Sequence, residues 1–369
     1  MVVMGLTQMG SLNALDQRRG EGGWKSAIGG DLPSARTNGR VMAALDCDGL
    51  RQALCSVYSR RKRGKSLKPL VEDSVALVID GHESSASYRR RCPDCLTRII
   101  HTAEGDRTQY YHRLADGALL FEGDRMQIDC EMQRPGEDEV ACAIRLLERI
   151  LLNYPRAFHV VVADGLYLRS DFFNLVARHG KHAIAVLKDE RRDLLQDAQK
   201  ILQRREGRAS APEATRCECW DVDGFTSWAG LDVPARVVRS VETSSVRRQL
   251  DGAEEETTSE WIWAMTIPKT ELTTEGVLTF GRARWSIENE GGFNELVNVW
   301  HADHVYKHAG NAILAFWLIT MLVFNLFHAF INRNLKAVRR LGHTAKHFLD
   351  LIAAEFHLLI RKSRAFAPS

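Results

Sequence analysis

A mixed α/β fold, one sheet with helices on both sides, follows from three features of this sequence. Two short runs, Ala76-Leu77-Val78-Ile79 and His159-Val160-Val161-Val162-Ala163, are apolar and β-branched without alternation, as in strands buried on both faces. Each run ends in Asp-Gly, so that Asp80 and Asp164 fall on the C-terminal rim of the sheet rather than in its core. Different structure is readable in the gap between them and in the longer gap that follows. Asp-Gly also marks ordinary strand-to-turn junctions, and for either pair alone that reading carries more weight. The order and spacing of the whole set is what favours a site.

In the first gap, Thr108-Gln109-Tyr110-Tyr111-His112-Arg113 and Arg125-Met126-Gln127-Ile128-Asp129-Cys130 alternate as strands do, with turns expected at Gly117, Gly123 and Asp124. A helix follows. Pro135-Gly136-Glu137-Asp138-Glu139 places negative charge at its start, Val140, Ile144, Leu147 and Leu151 recur on one face, and Tyr154-Pro155 stops it. A strand carrying Asp80, two antiparallel strands, a helix, and a strand carrying Asp164 beside the first make the ribonuclease H-like pattern. After Asp164, residues 172–180 read as a glycine-capped helix, 183–187 as a strand and 194–205 as a helix. From Cys217 to Pro268 short β segments are split by the acidic run 251–256, which reads as a small β-rich unit. Trp220, Trp228, Trp261 and Trp263 lie in it; packing is the weightier reading, and stacking of one of them on an unpaired base is the sharper one.

A third acid, Glu288, follows Arg284 by one helical turn. Three carboxylates suit a hard divalent cation, and a pair of such ions suits in-line attack on phosphorus. The stretch Gly281-Arg282-Ala283-Arg284-Trp285-Ser286-Ile287-Glu288-Asn289, followed by Gly292-Phe293-Asn294-Glu295-Leu296 and Trp300-His301-Ala302-Asp303-His304, resembles the signature around the last acid of DDE transposases from bacterial insertion sequences. The similarity runs from about Gly39 to about Leu341. It implies a ribonuclease H-like core, two Mg²⁺ or Mn²⁺ ions, and a triad of Asp80, Asp164 and Glu288 that cuts and rejoins DNA at transposon ends. One departure is plain. The branch with a β-rich insert often carries Tyr-x2-Arg-x3-Glu-x6-Lys, where this chain has Gly281, Arg284, Glu288 and Glu295. Only the Arg and the Glu agree, and the Arg-Trp-x-Ile-Glu-Asn form reads as a sister branch.

The expected organisation is a disordered segment over 1–38, a short helical region with a basic run over 39–70, a catalytic domain over 71–190 and 270–335, a β-rich insertion over 191–269, and a helical tail over 336–369. With 369 residues, 45% of them hydrophobic, the chain can bury a large core. A net charge of only +3 excludes a globally basic DNA-binding surface, so phosphate contacts must come from clusters. The strongest cluster is Arg60-Arg61-Lys62-Arg63, expected to follow a helix over 42–58 and to clamp DNA near the catalytic strands. Arg284 and Asn289 are further expected DNA contacts, the former because its guanidinium shares a helix face with Glu288 and can pair with it or grip a phosphate.

Eight cysteines without a secretory leader fit a reducing, cytoplasmic setting. Cys92-Pro93-Asp94-Cys95 has zinc-knuckle spacing that His101 or His112, or Cys217 and Cys219, would complete; a tight turn with two free thiols is the weightier reading. His304 and His308 lack the glutamate of a zinc protease and read as helix surface or DNA contacts. The apolar stretch 312–324 is bracketed by Asn311, Asn325 and His328, shorter than the ~20 residues a bilayer needs, and reads as a core helix rather than a membrane span. The expected protein is a transposase acting on transposon ends and target DNA, dimeric on DNA. A nuclease of the same fold without strand transfer and an inactive, transposase-derived DNA-binding protein are the alternatives.

Overall fold

A computed structural model describes residues 2–362 apart from 22, 25–27, 189–191, 205–206, 210–215, 248–253, 290–292 and 337–341, with the backbone alone at 208, 209, 246, 247, 255, 285–289, 293 and 359–362. One sheet organises it. Its first half comprises β1 (Ala76–Ser87), β2 (Leu96–Thr102), β3 (Gly105–Phe121), β4 (Asp124–Met132), α5 (Glu139–Asn153), β5 (Val160–Ala163), α6 (Ser170–Arg178) and β6 (His182–Val186). β1 pairs antiparallel with β3 and parallel with β5, and β5 continues parallel to β6. β2 and β4 pair with successive halves of the long β3. The strand order and the crossover through α5 are those of a ribonuclease H-like fold, as expected.

Two details differ from the sequence reading. β2 was not anticipated, because Leu96-Thr97-Arg98-Ile99-Ile100 is mostly half-exposed and lacks a buried face. Gly117 makes no turn. It sits inside β3 at a register shift against β4, where a Cβ would come within 2.7 Å of Ile150 on α5, so glycine there lets the helix approach the sheet.

The β-rich insertion forms no separate sheet. After α7 (Asp193–Leu202), strands β7 (Arg208–Ala209), β8 (Arg216–Phe225), β9 (Ala235–Arg247) and β10 (Glu254–Met265) extend the main sheet, β10 pairing antiparallel with β6. The chain then returns through α8 (Thr274–Asn289) and α9 (Phe293–Asn298) to α10 (Gly310–Asn334) and α11 (Ala345–Lys362). Strand alternation sorts the core into two layers. Leu77, Ile79, Leu119 and Val161 pack under Leu146, Leu147 and Ile150 of α5, whereas Ala76, Val78, Ala118, Val160 and Val162 pack under Val277, Leu278 and Phe280 of α8.

At the N-terminus, the expectation of disorder is overturned. α1 (Val2–Leu6), α2 (Leu12–Gln17) and α3 (Ala35–Ala43) bury Met4, Met9, Leu12, Leu15, Trp24 and Leu32 in a small core that also touches Phe356 of α11. Sparse, irregularly spaced apolar residues in a glycine-rich segment hid it. The helix expected over 42–58 is two helices, α3 and α4 (Cys47–Arg63), because Asp46 caps a new start by accepting the Asp48 amide.

α10 is long and apolar enough to cross a membrane by length and composition, and 61% of its most apolar window is buried inside the protein, against β4, α4 and α3. Its Asn325 is fully buried. The side-chain oxygen accepts the Gln127 amide at 2.9 Å, and the side-chain nitrogen donates to the Gln127 carbonyl at 2.6 Å, so the helix answers the outer edge of β4. Replacing this amide leaves two backbone groups buried without partners, so Asn325→Leu should cost about 2–5 kcal/mol, read as a lower urea midpoint at unchanged m-value. A midpoint equal to wild type would show that water or backbone shifts supply the missing bonds.

Candidate active site

The pairing of β1 with β5 runs Ala76 to Val160, Leu77 to Val161 and Val78 to Val162, an offset of 84 residues. Asp80 and Asp164 differ by the same 84, so each lies two residues past the last pair of this register, where the two neighbouring parallel strands carry the chain to the same end of the sheet. Alternation puts both on the α8 side, two residues beyond Val78 and Val162. Asp80 does not end its strand, as had been expected; β1 runs on to Ser87.

Local bonds hold each carboxylate. One Asp80 oxygen accepts the Gly81 amide at 2.8 Å, and the other lies 3.7 Å from the Arg284 guanidinium. Asp164 caps a 3₁₀ turn (Gly165–Tyr167), accepting the Leu166 amide at 2.8 Å. Arg284 is buried on α8, one turn before Glu288. The side chains of Glu288 and Asn289 lie outside the described residues; their backbone continues α8.

The rim carries two further acids. Asp116 on β3 faces Asp80 directly across the ladder and is 3% exposed; burial, with the nearby Asp129 and Asp80 charges, pushes its carboxyl well above the usual carboxylate range. Glu139, at the start of α5, accepts from Tyr167 Oη at 2.9 Å and from Arg113 at 2.8 Å. It lies where a Cβ on Gly81 would fall, which explains the glycine after Asp80. The acidic helix start was visible in the sequence; its proximity to Asp80 was not, because it depends on how α5 crosses the sheet.

Both departures from the Tyr-x2-Arg-x3-Glu-x6-Lys pattern have structural counterparts. Gly281 lies on the Trp263 indole of β10, 2.7 Å from where its Cβ would be, leaving no room for a tyrosine. Glu295 is a tie between α9 and α10, accepting from Trp300 Nε1 at 3.1 Å and His328 Nε2 at 2.8 Å. Trp263 is a core residue, and Trp228 packs on Phe173, as the packing reading had it.

The basic run is placed differently from expectation. It forms the last turn of α4 beside the β3–β4 turn, around a cleft of about 700 Å³ also lined by Lys65, Lys68 and Arg333. That turn is level with Ala76 at the start of β1, so the run sits at the opposite end of the sheet from Asp80. Arg61 is buried in an ion pair with Asp124 and leaves the set of free phosphate-binding groups; Arg60, Lys62 and Arg63 are exposed. Sequence proximity to the strand that bears Asp80 was misleading because the chain enters that strand from its far end.

Cys92 and Cys95 meet His112 of β3 and His308, the latter in the segment before α10 and not on a helix. His101 is exposed and pairs with Asp106, and Cys217 and Cys219 lie together at 3.3 Å on β8.

Residues 124–326, more than half of the chain, match the family model of the transposase DDE domain. The chain belongs to the DDE transposases. The match includes Asp164 and Glu288 and begins beyond Asp80. No curated protein matches the chain. Among solved structures, it is similar to a piggyBac transposase synaptic complex with hairpin DNA, at 11% identity and a TM-score of 0.44, over 80% of this chain and 54% of that one. It is also similar to the NurA nuclease of Sulfolobus solfataricus, at 10% identity and a TM-score of 0.28, over 59% of this chain and 75% of that one. The transposase thus spans about half the length of the piggyBac chain, and neither likeness carries an argument about its activity. Transposases of this family are enzymes that act on DNA and generally use divalent metal ions.

Two expected outcomes concern this site. Gly281→Tyr should destabilise the transposase by about 1–3 kcal/mol through overpacking against Trp263, read as a lower melting temperature; a wild-type melting temperature would mean the indole moves freely. Asp116 has a raised folded-state pKa, so its contribution to stability is present below its ordinary value of 3.8 and is lost as pH rises toward the folded value. Asp116→Asn should therefore gain stability relative to wild type as pH rises from 4 to 8, and a constant difference across that range would contradict a buried neutral carboxyl.

Proposed function

We propose that the transposase cleaves DNA at the ends of an insertion sequence and transfers the freed 3′-OH to target DNA, with Asp80, Asp164 and Glu288 as its metal-holding carboxylates. The observation that supports this reading is the 84-residue offset of the β1–β5 register, which Asp80 and Asp164 share, together with the packing of the helix whose backbone includes residue 288 on the same face of the sheet. An all-oxygen carboxylate set fits Mg²⁺ or Mn²⁺, and a bound pair of such ions would activate the attacking oxygen and stabilise the leaving one.

The chain's own residues prepare that site. Backbone amides of Gly81 and Leu166 orient Asp80 and Asp164, so little ordering remains for catalysis. Arg284 offsets part of the repulsion between the acids and is in reach of a phosphate entering beside Asp80. Asn289, one residue past Glu288, is proposed to contact the same DNA. Arg60, Lys62 and Arg63 hold DNA away from the cleavage point, where a duplex running along the sheet would reach them. A dimer on paired transposon ends, in the cytoplasm, completes the proposal.

Asp164→Asn should abolish Mg²⁺-dependent nicking of DNA carrying the sequences that flank the gene, while gel-shift affinity for the same DNA stays close to wild type. Wild-type nicking by this variant would sink the assignment. Joined products in the wild-type reaction support strand transfer; cleavage without joining would leave a nuclease of the same fold.

A further inference from the structure

The geometry points to a structural zinc site formed by Cys92, Cys95, His112 and His308, separate from the catalytic carboxylates. The four side chains come from three distant parts of the chain: the β1–β2 connection, the middle of β3, and the segment entering α10. Their ligand atoms all lie within 4.8 Å of one another. The two sulfurs are 3.7 Å apart, each sulfur is 3.4 Å from His112 Nε2, and the Cys95 sulfur is 3.1 Å from His308 Nε2.

These four distances lie within about half an ångström of the edges of a zinc tetrahedron. Zn–S bonds of about 2.3 Å and Zn–N bonds of about 2.05 Å put two sulfurs about 3.8 Å apart and a sulfur and a nitrogen about 3.6 Å apart. A disulfide would need sulfurs at about 2.05 Å. Cys-x2-Cys with two histidines is a zinc donor set, soft enough to prefer zinc over the magnesium that suits the carboxylate rim. With four protein ligands there is no open position for water or substrate, so the role is structural. Cys92 and Cys95 bind as thiolates, each releasing its proton to solvent, and His112 and His308 bind as neutral imidazoles through Nε2.

The location gives the site its use. On β3, Tyr111 is the last residue paired to β2 and Leu114 the first paired to β4, so His112 stands where the strand changes partners. Asp94, between the two cysteines, accepts the Gly310 amide at 3.3 Å and so caps α10. The metal would therefore fasten the strand that runs on to Asp116 to the helix that covers β4, closing a loop of about 200 residues between Cys95 and His308.

The full chain, purified without chelator and analysed by elemental mass spectrometry, should hold about one zinc per chain. Cys92→Ser and His308→Ala should each lose most of it, and Asp164→Asn should keep it. Zinc absent from wild type, or retained in a Cys92→Ser/His308→Ala double variant, would overturn the site. Should these variants fail to fold, wild type loaded with Co²⁺ decides: intense visible bands with a thiolate charge-transfer band in the near ultraviolet support the Cys2His2 tetrahedron, and a weak octahedral spectrum rejects it.

Discussion

The pairing of two short parallel strands is the constraint on which the site depends. β1 and β5 share only a few paired residues, yet their register brings Asp80 and Asp164 to the same end of the sheet and assigns both to one face. A slip of one residue would turn one carboxylate into the α5 layer, because strand side chains alternate. Burial on both sides does not by itself protect the register: Leu77 and Val161 fit the α5 layer and Val78 and Val162 the α8 layer, and a slipped alignment would still place apolar residues in both, so what such a slip costs is the carboxylate carried toward the buried α5 layer.

The second requirement is a helix delivered over that rim, and here the insertion acquires a structural purpose. β10 joins the sheet beside β6 and presents Trp263 to α8, which rests on it at Gly281, one turn before Arg284 and two before Glu288. The position of the last acid is thus tied to the insertion by a glycine–indole contact. At the position seven residues past Glu288, Glu295 is an internal tie to Trp300 and His328.

Much of this was legible in the sequence. Two-sided burial gave the strands away as unbroken β-branched runs, and α5 announced itself by its acidic start and 3.6-residue period. What escaped was whatever depends on assembly. β2 carries no apolar face, the N-terminal core is built from scattered residues, and Glu139 meets Asp80's neighbour only because of how α5 crosses the sheet. The basic run illustrates a related error: adjacency in sequence to the strand that bears Asp80 says which strand a segment feeds, not which end of it. Cys92 and Cys95 were recognisable as a pair, but His308 lies more than 200 residues away and no local pattern links them.

The amide of Asn325 has a consequence for how such a sheet can grow. By answering both backbone groups of Gln127, α10 occupies the place a further strand would take beside β4. The added β structure lies past β6, where β10, β9 and β8 extend the sheet on the side away from β4. Where a side chain that imitates backbone closes the border beside β4, an insertion that joins past β6 can grow without changing the distance of β1 and β5 from that closed side.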